Sequence, residues 1–187
     1  MLTFHYSAMN AGKTTVLLGS AHNYEENNKQ ILLLNSVLDN RFGEHKIASR
    51  IGISKPCISY SKDTDIYDII RSKTPLDCVF IDEAQFLTRE QVWSVMRAVQ
   101  DFTLNVKCFG LRTNFKGDLF EGSETLLAIS DELVNIKTIC FCGKIATMNH
   151  LKKKGNSDVC IQIGGNDMYE SLCFFHWSVK NLKSELM

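Results

Sequence analysis

Ser7-Ala8-Met9-Asn10-Ala11-Gly12-Lys13-Thr14, with Leu2-Thr3-Phe4-His5-Tyr6 ahead of it and Val16-Leu17-Leu18 behind, is the stretch that decides the fold. An apolar-leaning run, a turn closing on Gly-Lys-Thr and a resumed apolar pattern read as strand, phosphate loop and helix. Gly12 lets the main chain come close to an anion, while the N–H groups of the turn and helix start point at it. Lys13 is then a mobile point charge for the outer phosphates, and the Thr14 hydroxyl is a hard oxygen ligand for magnesium. Ser7 stands where the general pattern has glycine. A plain helix N-terminus with a glycine turn would share these residues; the flanking strand and helix favour the phosphate reading.

A second motif supports the first. Cys78-Val79-Phe80-Ile81 is a short apolar run of the kind buried on both faces of a parallel sheet, and it ends on Asp82-Glu83. A phosphate-loop protein needs an acid at such a strand end to hold magnesium. Neighbouring residues diverge as a strand ends, so one carboxylate can face the metal while the other faces a substrate hydroxyl that must lose its proton.

Between and beyond these motifs the pattern alternates. Residues 15 to 24 suit a helix, and Ile31-Leu32-Leu33-Leu34 a buried strand that brings Asp39, Arg41 and Gly43 to its C-terminal end. Residues 43 to 56 read as a loop, and Ile66, Ile69 and Ile70 carry helical spacing within 64 to 72. Thr88 with Gln91 makes a capping box for a helix whose Val92, Val95, Met96 and Val99 share a face. A strand from Leu104 to Leu111, a polar loop from Arg112 to Gly122, a helix from about Ser123 and a strand near Leu133 to Ile136 follow. The sum is an α/β fold of the P-loop NTPase kind, a mostly parallel sheet flanked by helices with functional loops at the strands' C-terminal ends.

Composition narrows the function classes. A chain of 187 residues, 44% hydrophobic, can bury a sizeable core, and none of its apolar runs is long enough to span a membrane. The sequence opens on a strand-like run with no basic-then-apolar leader, which gives a cytoplasmic expectation. Zero formal net charge supplies no global field for nucleic acid. Lys152-Lys153-Lys154-Gly155-Asn156 reads as a solvated hairpin tip.

Seven cysteines, an odd number, argue against a disulfide framework. Cys140-Phe141-Cys142 and Cys173-Phe174-Phe175-His176 are two ligand pairs about thirty residues apart, able to grip one tetrahedral zinc from two loops. Buried thiols and a surface histidine are the plainer alternative. Cys57, Cys78, Cys108 and Cys160 read as packing thiols, and His5, His22, His45 and His150 have no ligand spacing.

Taken together, the phosphate loop, Asp39-Asn40-Arg41-Phe42-Gly43, Ser49-Arg50-Ile51-Gly52, Ile81-Asp82-Glu83-Ala84-Gln85-Phe86-Leu87, Gly110-Leu111-Arg112-Thr113-Asn114-Phe115, the Cys-x-Cys segment and Ile163-Gly164-Gly165-Asn166-Asp167-Met168-Tyr169 resemble thymidine kinases of the zinc-containing cytosolic type, bacterial branch. The resemblance runs from residue 2 to about 177. It implies transfer of the ATP γ-phosphate to the 5′-hydroxyl of thymidine or deoxyuridine. Glu83 would be the general base. Ser7 to Thr14, Asp39, Arg41, Asp82 and Gln85 would serve ATP and its magnesium. Met9, Phe86, Leu111, Phe115, Phe120 and Tyr169 would enclose the base, while the main chain of Cys160, Ile161, Gln162, Ile163 and Gly164 reads its edge. Cys140, Cys142, Cys173 and His176 would hold a structural zinc.

The same resemblance implies an ATP-binding domain over 1–137 and a zinc-held hairpin, or lasso, over 138–187. It further implies a homotetramer restrained by thymidine triphosphate, with neither nucleic acid nor membrane as partner. A nucleotide-dependent module gripping single-stranded nucleic acid through its zinc loop is the rival class. The lack of interleaved basic and aromatic residues around Cys140 to His176 counts against it.

Overall fold

The computed structural model describes residues 1–39, 43, 45–152 and 168–182. In chain order they form β1 (Leu2–Ser7), α1 (Lys13–Glu26), β2 (Ile31–Ser36), β3 (Lys46–Ala48), β4 (Ser54–Pro56), β5 (Ile58–Tyr60), α2 (Ile66–Lys73) and β6 (Cys78–Ile81). A 3-10 turn (Ala84–Phe86), α3 (Arg89–Phe102), β7 (Asn105–Leu111), α4 (Glu121–Ile129) and β8 (Glu132–Asn135) complete the larger part. The remainder is β9 (Thr138–Ile139), β10 (Ile145–Ala146), β11 (Met148–Leu151), β12 (Tyr169–Leu172) and α5 (Phe174–Leu182).

Six strands form one sheet in the order β5-β2-β6-β7-β1-β8, and every pairing in it is parallel. The two-residue period of the strands explains its two covered faces. Val79 and Ile81 of β6 point into a core with Leu32, Leu34, Val106, Cys108 and the apolar stripes of α2, α3 and α4. Cys78 and Phe80 point the other way, to Leu33, Phe109 and the Leu17, Leu18 and Ala21 face of α1. Cys78 and Cys108 are wholly buried, as packing thiols should be, and burial raises the pKa of both.

His5 packs against the core. Its ring stacks on Phe109 at 4.3 Å, and burial, helped by Lys107, holds its pKa down at about 4.

Two local readings change. Residues 43 to 56 are not a plain loop: β3 and β4 pair as an antiparallel hairpin, with Lys46 opposite Pro56 and Ala48 opposite Ser54. Next to it β5 adds an edge strand to the sheet through Leu34–Ile58 and Ser36–Tyr60 register pairs. Three-residue strands are too short to show a period, so β5 carried no signal in the sequence. Helix α4 begins at Glu121, two residues before the expected Ser123. Among the described residues no helix is long and apolar enough to cross a membrane.

The capping box forms as the sequence requires, with the Gln91 N–H donating to Thr88 Oγ1 at 3.2 Å and the Thr88 N–H to Gln91 Oε1 at 3.0 Å. The same amide also donates from Nε2 to the carbonyls of Ser61 and Thr64, at 2.8 and 2.9 Å, fixing the loop between β5 and α2. Gln91→Ala should therefore lower unfolding free energy by about 2 kcal/mol, one half of a cap plus one buried tether. An unmoved urea midpoint would show that the tether contributes nothing.

Candidate active site

Strand β1 ends at Ser7, and the chain turns through Asn10 at φ 60° and Gly12 at φ 75° before α1 starts at Lys13. The left-handed conformation at Gly12 is the one that side chains disfavour, so the glycine is required there by backbone shape alone. Lys13 is buried and folds back over the loop, donating to Ser7 Oγ at 3.1 Å and to the Ala8 carbonyl at 3.4 Å. Ala8 is buried beside it. Ala11 closes the turn ahead of Gly12.

Across the sheet, β6 delivers Asp82 into contact with the helix start: the Thr14 hydroxyl donates to Asp82 Oδ2 at 2.9 Å. Asp82 is 2% exposed, and its other oxygen accepts the Glu83 N–H at 3.0 Å. Burial, then the neighbouring Glu83 charge, push its pKa up to about 7, against the opposing pull of Thr14 and Lys13. The two motifs predicted to cooperate do meet.

Glu83 adopts a left-handed conformation, φ 50° and ψ 36°, unusual outside glycine. Tyr60, fully buried at the end of β5, donates its hydroxyl to the Glu83 carbonyl at 2.9 Å and to that of Asp82 at 3.3 Å. Gln85 grips the side chain: its Nε2 donates to Glu83 Oε2 at 2.5 Å, while its Oε1 accepts the Leu111 N–H at 3.0 Å. Both ends of the Gln85 amide thus serve to fix Glu83 against the end of β7. Tyr60 was not anticipated from sequence, because the three residues of β5 were assigned to no element.

The residues expected around a base are spread over several elements. Phe86 packs edge-on against Phe120 with ring centroids 5.9 Å apart, where the start of α4 meets the 3-10 turn. Gly122 permits that docking, since a Cβ there would lie 2.6 Å from the Ala84 carbonyl. Leu111 ends β7 and accepts the Ser123 hydroxyl on its carbonyl at 2.6 Å. The Phe115 carbonyl accepts Trp177 Nε1–H at 3.1 Å, and Tyr169 is buried in β12. Met9 is tied to both strands of the β11–β12 ribbon, its N–H donating to Asn149 Oδ1 at 2.8 Å and its carbonyl accepting from Ser171 Oγ at 2.6 Å. Asp39 follows β2, with its N–H bonded to the Ser36 carbonyl at 3.0 Å. Arg41, Cys160, Ile161, Gln162, Ile163 and Gly164 lie outside the described residues, as does the lysine tip beyond Lys152.

The cysteine and histidine pairs converge. Cys140 and Cys142 occupy the turn of the β9–β10 hairpin, Cys173 follows β12 and His176 lies in the first turn of α5. Their ligand atoms all lie within 4.8 Å of one another, with Cys140 Sγ and Cys173 Sγ at 3.4 and 3.3 Å from His176 Nδ1 and Cys142 Sγ 3.9 Å from Cys173 Sγ. Tetrahedral zinc with sulfur bonds of about 2.3 Å needs ligand atoms about 3.5–3.8 Å apart, so the donor set fits. Burial opposes ionisation of Cys140, but the N–H groups of Cys142 and Cys173 and the His176 ring outweigh it and lower the thiol to about 6.

The family described as "Thymidine kinase" matches residues 1–177. A thymidine kinase from Idiomarina loihiensis is 48% identical over 183 residues, covering 94% of this chain and 95% of that protein. Those of Ruegeria pomeroyi and Salmonella typhi are 46% and 45% identical over 94% of this chain, covering 92% and 89% of their own lengths.

The raised Asp82 pKa has a stability consequence. An acid that holds its proton more tightly folded than unfolded stabilises the fold fully below the ordinary carboxylate pKa, and that contribution is lost as pH rises toward 7. Ligand-free Asp82→Asn, which cannot ionise, should melt above the parent chain at pH 8, and the gap should close toward pH 5. Parallel melting curves at every pH would remove the buried charge from the account.

Proposed function

The chain belongs to the thymidine kinase family, and we propose that it transfers the γ-phosphate of ATP to the 5′-hydroxyl of thymidine, and of deoxyuridine, in pyrimidine deoxynucleoside salvage. It is an ATP-dependent kinase, a transferase by class. The observation that carries the proposal is the contact of Thr14 with Asp82, with Glu83 beside it held by Gln85 and Tyr60.

In this reading Lys13 leaves its bonds to Ser7 and Ala8 to meet the β- and γ-phosphates, and the loop from Ser7 to Thr14 wraps them. Asp39 and Arg41 add to the phosphate side. Thr14 and Asp82 would hold magnesium, which neutralises phosphate charge when bound. Glu83 accepts the 5′-hydroxyl proton, and Gln85 keeps its carboxylate aimed. The phosphoryl transition state is loose, so positioning and charge neutralisation lower the barrier more than proton removal does. Phe86, Leu111, Phe115, Phe120, Tyr169 and the Met9 side chain form the apolar walls of the base pocket, and the main chain of 160–164 reads the base edge. Main-chain readout tolerates Cys160 and Gln162 there.

Zinc on Cys140, Cys142, Cys173 and His176 is structural. The division into an ATP-binding unit over 1–137 and a zinc-held lasso over 138–187 follows from that assignment. A cytoplasmic homotetramer inhibited by thymidine triphosphate completes the proposal.

Two experiments test it. With ATP and magnesium the protein should convert thymidine to its monophosphate, and Glu83→Gln should slow turnover by about a hundredfold or more while leaving ATP binding nearly intact. Failure to phosphorylate any pyrimidine deoxynucleoside would refute the function, and undiminished turnover in the variant would remove Glu83 as base. Elemental analysis should find one zinc per chain, and its chelation should weaken thymidine binding because the metal joins both ends of the hairpin. Metal-free protein with full affinity would overturn the zinc assignment.

A further inference from the structure

We infer that Asn149 and Ser171 are positioning residues that couple the nucleoside side of the site to the phosphate loop through the main chain of Met9. The inference rests on the proposed kinase reading and adds a linkage between its two substrates.

Asn149 and Ser171 face each other directly in the antiparallel register of β11 and β12. From that one position they take both main-chain groups of Met9: Asn149 Oδ1 accepts its N–H at 2.8 Å, and Ser171 Oγ donates to its carbonyl at 2.6 Å. A phosphate loop ordinarily points its N–H groups at the anion. Met9 lends its N–H to Asn149 instead, so that N–H sets where the loop stands rather than binding phosphate.

The other end of Asn149 shows what the clamp is referenced to. Its Nδ2 donates to the Thr113 carbonyl at 2.9 Å, so one amide, 2% exposed, spans the phosphate loop and the loop after β7. That second loop carries Phe115, and β12 carries Tyr169 two residues before Ser171. Both are walls of the proposed base pocket. Further polar ties run in parallel: Arg112 donates from its main chain to the Ser7 carbonyl at 3.3 Å and from its guanidinium to the Thr147 carbonyl at 3.2 Å. The Thr138 hydroxyl reaches the Asn10 carbonyl at 3.3 Å.

Ordering the β11–β12 ribbon and the Thr113 loop around a nucleoside therefore fixes Met9, and fixing Met9 removes freedom the loop would otherwise lose on meeting ATP. Each substrate should tighten the other by the same factor, as linkage requires, on the order of tenfold for a few buried hydrogen bonds.

The test is calorimetric. Thymidine affinity is measured without and with saturating magnesium and a non-hydrolysable ATP analogue, in the zinc-loaded full chain. The parent protein should bind thymidine about tenfold tighter with the analogue present. Ser171→Ala should cut that ratio below about threefold, and Ser171→Thr, which keeps the hydroxyl, should restore it. Asn149→Ala should abolish the ratio; Ser171→Ala, a smaller change on a half-buried strand position, keeps the question answerable if Asn149→Ala does not fold. A parent ratio near one, or a ratio untouched in Ser171→Ala, overturns the coupling while leaving the kinase reading intact. A parent chain that binds no thymidine at all overturns both.

Discussion

The hydrogen bond between Thr14 and Asp82 is the constraint from which the site follows. The strands that carry the two motifs, β1 and β6, are not neighbours; β7 lies between them. Their loops can meet only by closing over the end of β7, and that crossing must be thin. Near that end Gly110 leaves room for Gln85, since a Cβ at that position would stand 2.9 Å from Gln85 Oε1 and 3.3 Å from the Phe4 ring. The result is a carboxylate almost completely removed from water with two donors and a like charge next door. Such an arrangement costs stability unless a cation compensates it, which is the ordinary mark of a site shaped for binding.

Glu83 extends the same argument. A left-handed backbone at a residue with a long side chain is unfavourable by about 1–2 kcal/mol. The fold holds it there with the Tyr60 hydroxyl on its carbonyl, Asp82 on its N–H and Gln85 on its carboxylate. Three polar contacts on one residue leave its position little freedom. That suits a group whose contribution depends on where it points more than on how basic it is.

How much of this could be read from the chain depends on range. The phosphate loop, the Asp82 strand, the capping box at Thr88 and the two ligand pairs are local patterns, and each stands where its pattern put it. Strand β5 escaped because three residues carry no measurable period, and Tyr60 escaped with it. Asn149 and Ser171 left no local signal whatever: their partner, Met9, lies 140 and 162 residues away. Gln85 was legible as part of a motif but not as the brace of Glu83, because its second contact is the main chain of Leu111, 26 residues on. Contacts of side chain to distant main chain leave no mark on spacing, and they are what orients this site.

The Cys140, Cys142, Cys173 and His176 cluster, which could hold a metal ion, belongs to the same part of the chain that makes those long-range polar contacts. Among the described residues, the apolar cluster at the hairpin end is Cys140, Ala146, Leu172 and Cys173 with Trp177 against it, and Met148, Leu151 and Tyr169 are buried as well. A metal tying Cys140 and Cys142 to Cys173 and His176 would add a cross-link between the β9–β10 turn and the start of α5. A unit held internally by a metal need not dock through a broad apolar face. It can be aimed by hydrogen bonds instead: Asn149, Ser171 and Thr138 on the phosphate loop, the Arg112 guanidinium on Thr147 and Trp177 on Phe115. Apolar contact is tolerant of sliding, whereas a hydrogen bond loses its strength steeply as its angle opens. On the proposed reading, a hairpin aimed this way would report the position of the nucleoside pocket to the loop that would receive ATP.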